Sequence, residues 1–156
     1  HLKANPGHSF APLFDFFEPW CQDENRHGDI FNLLIRCWPG ITSGIRGRLL
    51  SRFFLWSVFL THSLTVCERG NFYQLLGMDP EHFDDEVIRQ TNRSARRAFP
   101  VVFKLEASYF NLRNQLVESF RLLKASETNP LRQLAIKARF GFLLLQQLMQ
   151  PMELSK

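Results

Sequence analysis

An all-α fold is what this chain predicts, on three observations. Leu105, Tyr109, Leu112, Leu116, Phe120 and Leu123 recur at three- and four-residue spacing, the mark of one apolar helix face over residues 104–124. Arg89, Arg93 and Arg96 or Arg97 recur at the same spacing, so a helix over 84–98 gathers its cations on one side. Between Leu49 and Val66 runs a strongly apolar stretch, dense enough in Leu, Phe, Val and Trp for a third helix.

In chain order, residues 1–28 come first. Pro6, Pro12 and Pro19 alternate there with Phe10, Phe14, Phe16, Phe17 and Trp20, which predicts short turns with aromatic anchors rather than one long helix. Asp29 can cap a short apolar helix from Ile30 to Trp38, and Pro39-Gly40 stops it. Packing against the core is favoured for that helix over a membrane interface.

The apolar run 49–66 is preceded by Arg46 and Arg48 and followed by Glu68-Arg69-Gly70. A membrane span takes about 20 residues at about 1.5 Å each, and the run reaches that length only by letting Arg52 snorkel toward the interface. A short anchor, an interfacial or partner-binding helix and a buried core helix all fit, and the anchor is favoured. Arginines lie on both flanks, so the positive-inside rule gives no orientation.

After it, Gly77 can take the positive φ that ends a short helix, and Pro80 with Asp84-Asp85-Glu86 opens the next. Tyr73, Leu76, Gly77, Met78 and Pro80, then Asp84 to Ile88, resemble the opening of a J-domain, the module that couples proteins to DnaK-type chaperones. Asn129-Pro130-Leu131-Arg132 and Arg139-Phe140-Gly141 resemble its closing block, so the resemblance brackets residues 71–141. It implies an antiparallel hairpin of the second and third helices, with Arg89, Arg93, Arg96 and Arg97 as a face that docks an acidic chaperone surface.

Where the family carries its His-Pro-Asp trigger, this chain reads Phe99-Pro100-Val101. Neither phenylalanine nor valine supplies the hydrogen bonds or charge that the family uses to stimulate ATP hydrolysis. The resemblance therefore implies a degenerate trigger loop and no activation. Ala95 and Ala98 are small, so Phe99, Val102 and Phe103 are expected to turn inward and fill the space. Further on, Phe142 to Met149 forms an apolar helix that ends at Pro151 and packs on the core or a partner.

Composition narrows the rest. A chain of 156 residues, 45% hydrophobic, holds one modest core, and its net charge of +4 favours an acidic partner without choosing one. Cys21, Cys37 and Cys67 are odd in number and widely spaced, which argues against a disulfide scaffold or a zinc site. His1, His8, His27, His62 and His82 show no metal-ligand pairing, no nucleophile motif stands out, and no phosphate-binding glycine loop is present. A chain that begins at His1 says nothing about a targeting signal.

The chain thus reads as an all-α, J-domain-like antiparallel helical hairpin with flanking helices and a preceding hydrophobic helix. Its parts are an aromatic, Pro-rich segment with a short helix (1–47), the hydrophobic helix (48–67), the J-like domain (68–141) and an apolar helix with its tail (142–156). The expected function is that of a non-enzymatic, non-activating co-chaperone or adaptor, without cofactor or metal. Its partner would be a DnaK-type chaperone or a true J-protein at a membrane, that of the endoplasmic reticulum before that of mitochondria. The alternative is a basic helical module for nucleic acid or anionic membrane. Nucleic acid is disfavoured because the aromatics fall on the apolar stripe rather than among the exposed cations.

Overall fold

The computed structural model describes residues 16–125 and 129–155, which contain seven helices and one two-stranded sheet. The expected all-α class is what the chain has. Pro6, Phe10, Pro12 and Phe14 of the predicted aromatic segment lie outside the described residues, as do His1 and His8. The chain divides into two compact units, residues 1–39 and 40–156.

In the first unit a single helix, α1 (Phe17–Cys37), runs straight through the position where Asp29 was expected to start a short one. Pro19 does not prevent this, because it stands in the first turn, where a missing N–H costs no intrahelical bond. Gly28 is tolerated mid-helix at about 1 kcal/mol relative to alanine. Trp38, whose N–H donates to Ile35 O at 3.3 Å, closes the helix. Trp20, Ile30, Leu33 and Leu34 are all exposed along it.

The second unit is built around α3 (Gly44–Glu68), which follows the short α2 (Pro39–Thr42). Gly44 turns the chain at φ +63°, and Gly47 lets α2 lie close: a Cβ there would stand 2.4 Å from the carbonyl carbon of Thr42. One α3 stripe, Gly47, Ser51, Leu55, Phe59, Ser63 and Val66, is buried at helical spacing. Leu55 and Phe59 meet Ile88, Val102, Phe103, Tyr109 and Phe110 in the core.

Then α4 (Gly70–Leu75) ends near Gly77 at φ +71°, as expected of that glycine. Asp79 caps α5 (Pro80–Ala95), its carboxylate accepting from the N–H groups of Glu81 and His82, with Pro80 at the first helical position. Asp84, Ile88 and Asn92, four residues apart, form its buried face against α3.

The stretch read as a degenerate trigger loop is core instead. Phe99 is buried, and Val101–Phe103 forms a wholly buried strand β1, paired antiparallel with β2 (Met152–Leu154) in the register Val102↔Glu153. Phe99, Val102 and Phe103 therefore do turn inward. Pro100 sits at the strand's edge, where its carbonyl accepts from Ser155 N at 3.1 Å.

Helix α6 (Ala107–Lys124) carries the predicted stripe, with Tyr109 and Leu116 fully buried. Its principal partner is α7 (Pro130–Leu148) rather than α5, so the hairpin implied by the J-domain resemblance is not the one that forms. Asn129 and Pro130, read as a closing J-domain block, are the cap and first residue of α7: the Asn129 side chain accepts from Leu131 N and Arg132 N. At the other end Arg52 of α3 donates to the carbonyls of Leu148 (2.6 Å) and Gln150 (2.9 Å), capping α7 and holding the turn into β2.

Candidate functional site

Polar chemistry in the second unit gathers at the two ends of α5. At its N-terminal end Asp84 is 1% exposed, and a polar group so placed needs hydrogen-bond partners. His62 of α3 brings Nδ1 to 2.6 Å from Asp84 Oδ1. From α6, Arg113 donates through Nη1 to Asp84 Oδ2 and through Nη2 to Asp85 Oδ1. One buried guanidinium thus ties two carboxylates, and three helices meet at the knot.

Burial pushes the Asp85 carboxyl above the usual carboxylate range, and the Arg113 and Arg89 guanidiniums offset that in part. Beside the knot a cleft of about 70 Å³ is lined by Ser63, Cys67, Asp84, Arg113, Asn114 and Arg121. Small-molecule sites run to roughly 300–1,000 Å³, so this cleft admits a few waters and no large substrate. The knot is architecture. Tyr109, deeper in the core, has its hydroxyl held well above the usual range by burial, which keeps it protonated and out of acid–base work.

At the C-terminal end of α5 a second cleft, about 220 Å³, is lined by Arg89, Asn92, Arg93, Arg96, Leu105 and Glu153. The structure thus brings together three of the four arginines singled out in the sequence. Arg97 is exposed one residue beyond Arg96 and does not line the cleft. Arg89 lays its guanidinium 4.2 Å from the centre of the Phe110 ring, and Arg96 donates to Glu153 on β2.

A third arrangement lies on α1. Glu24 and His27 stand one turn apart with His27 Nδ1 3.7 Å from Glu24 Oε2, and Asp23 lies 3.9 Å from the other ring nitrogen. Glu-x-x-His at this spacing is how helices of carboxylate-bridged metal proteins present two donors from one face. Among the described residues no group of three or more His, Cys, Asp or Glu side chains comes together to hold a metal ion, so the pair is at most part of a donor set. The signal stands in the sequence as Glu24-Asn-Arg-His27, and a search for His–His or Cys–Cys pairs passes over it. His62 and Arg113 were equally legible, each a polar residue set on an apolar helix face.

Comparison with known proteins overturns the J-domain resemblance. No family model matches the chain, and no solved structure matches it. Curated proteins do match. Over 154 residues, 98% of the chain, it is 57% identical to a magnesium-protoporphyrin IX monomethyl ester [oxidative] cyclase of Prochlorococcus marinus. A cyclase of the same name from Nostoc is 54% identical over 110 residues, and one from Cyanidium caldarium 47% identical over 110 residues, each match covering 70% of the chain. The chain spans 44% of the length of the Prochlorococcus protein and 31% of the other two.

The proteins it resembles are thus enzymes by name, which corrects the expectation of a non-enzymatic co-chaperone. The same finding removes the DnaK-type chaperone and the true J-protein as partners, and the nucleic-acid or anionic-membrane module as the alternative. Cyanobacterial relatives leave the endoplasmic reticulum without support. What stands of the membrane reading is that, among the described residues, one helix, α3, is long and apolar enough to cross a bilayer by length and composition.

Proposed function

We propose that the chain is a working part of an oxidative cyclase acting on magnesium-protoporphyrin IX monomethyl ester. The observation that carries this is the identity of 57% across nearly the whole chain with a protein of that name. Oxidative ring closure needs electron chemistry beyond amino-acid side chains, and a redox-active metal or cofactor supplies it when bound. Glu24 and His27 on α1 fit such a metal in donor type, a carboxylate and an imidazole on one helix face. They would supply two ligands, the others coming from the remaining length of a protein more than twice as long as this chain.

The second unit then serves as scaffold. Its central helix α3 is held by the His62–Asp84 contact and by the Arg52 bonds to α7, polar ties that suit a core helix better than an anchor. Its exposed residues Ile45, Leu49 and Phe53, four apart, give a ready face for the rest of the longer protein.

The test is a chimera in which this chain replaces the matching 154 residues of the Prochlorococcus cyclase. Formation of the cyclised product from the monomethyl ester supports the proposal. A folded chimera without activity, beside an active parent, counts against it.

A further inference from the structure

We propose that Arg89 and Arg93 of α5 and Arg96 at its C-cap, with Asn92 beside them, form a binding cleft for a single oxyanion, a carboxylate or a phosphate. The three cations share one helix face and one cleft. Arg93 makes no ion pair or hydrogen bond among the described residues, while Arg89 lies 4.2 Å over the centre of the Phe110 ring and is bonded to no carboxylate among them.

The acidic groups around them are occupied. Asp85, which lies close enough to feel Arg89, is bonded to Arg113; Glu86 accepts from Gln90 at 2.6 Å; Glu106 pairs with Lys104 at 2.7 Å. Among the described residues only the Glu153 carboxylate lines the cleft, and Arg96 holds it. The lining therefore carries three cations against one carboxylate.

Asn92 lines the cleft between the arginines. Its Nδ2 donates to Phe103 O at 2.9 Å, which fixes the amide's orientation. Its Oδ1 is buried with no partner among the described residues; as an acceptor it offers an anion nothing, so recognition falls to the arginines. At about 220 Å³ the cleft takes an anionic arm rather than a whole tetrapyrrole. A carboxylate there has an obvious source if the cyclase reading holds, because a monomethyl ester of a dicarboxylic porphyrin keeps one carboxylate free. The cleft itself does not rest on that reading.

The experiment titrates the full chain with inorganic phosphate and follows the arginine Nε–H and Asn92 side-chain amide signals by NMR. The expected result is saturable shifts at Arg89, Arg93 and Asn92, about tenfold weaker binding in Arg93→Gln, and tighter binding in Glu153→Gln, which frees Arg96. Absence of saturable shifts, or shifts that Arg93→Gln leaves unchanged, overturns the cleft whatever becomes of the cyclase reading. In a second arm protoporphyrin IX is compared with its dimethyl ester. Binding of the acid alone, weakened by Arg93→Gln, identifies a tetrapyrrole carboxylate as the ligand. Equal binding of acid and ester overturns that source and leaves phosphate.

Discussion

The two ends of α5 carry opposite charges and opposite fates. At the N-terminal end Asp84 and Asp85 are consumed by His62 and Arg113, and the residues that do this come from α3 and α6. Toward the C-terminal end Arg89 and Arg93 have no carboxylate bonded to them among the described residues. The same helix therefore offers a structural knot and an uncommitted surface, and partners rather than residue type tell them apart. A buried, paired charge speaks for architecture, whereas an accessible, unpaired one speaks for binding.

Breaking the knot gives the largest effect. Arg113→Met leaves Asp84 and Asp85 without their cation inside the protein and should cost about 3–5 kcal/mol, read as a fall in the denaturation midpoint. Gly47→Ala forces a Cβ against the Thr42 backbone and should cost about 1–3 kcal/mol by the same measurement. Smaller again is Asn129→Ala, which removes the cap of α7 at about 1 kcal/mol. Arg93→Gln, at the other end of the comparison, should leave stability within about 0.5 kcal/mol while weakening anion binding. Equal losses for Arg113→Met and Arg93→Gln would erase the distinction.

The pH dependence sharpens it. Folding raises the Asp85 carboxyl above its unfolded value, so the folded state binds this proton more readily. Its contribution is fully present below the unfolded value of 3.8 and is lost as pH rises through the raised folded one. Asp85→Asn should therefore lose less stability than the parent as pH rises above 3.8, measured by chemical denaturation at each pH. Since Arg113 offsets part of the shift, the difference should be small.

Helices with a strong period were legible in the sequence. The stripe from Tyr109 to Leu123 and the cationic face from Arg89 to Arg96 both fall where expected, because spacing alone fixes them. Partners were not legible: the stripe of α6 gives its own buried face but does not say that α7 covers it. The strand at Val101–Phe103 escaped because three residues carry no period, and its pairing partner lies some fifty residues on at Met152–Leu154. Pro19 was read as a breaker when it only marks a first turn. The Gly77-Met78-Asp79-Pro80 run drew a J-domain reading because any helix-loop-capped-helix asks for a flexible glycine, a cap and a proline at the first helical position. Such local chemistry recurs across unrelated folds and identifies none of them.

The central claim, that α1 brings chemistry and the second unit brings scaffold to an oxidative cyclase, is tested most directly by turnover of the chimeric cyclase carrying Glu24→Gln, with its thermal midpoint measured alongside. The prediction is turnover lost with the midpoint within about 2 °C of the parent chimera. Full turnover in Glu24→Gln would contradict the claim.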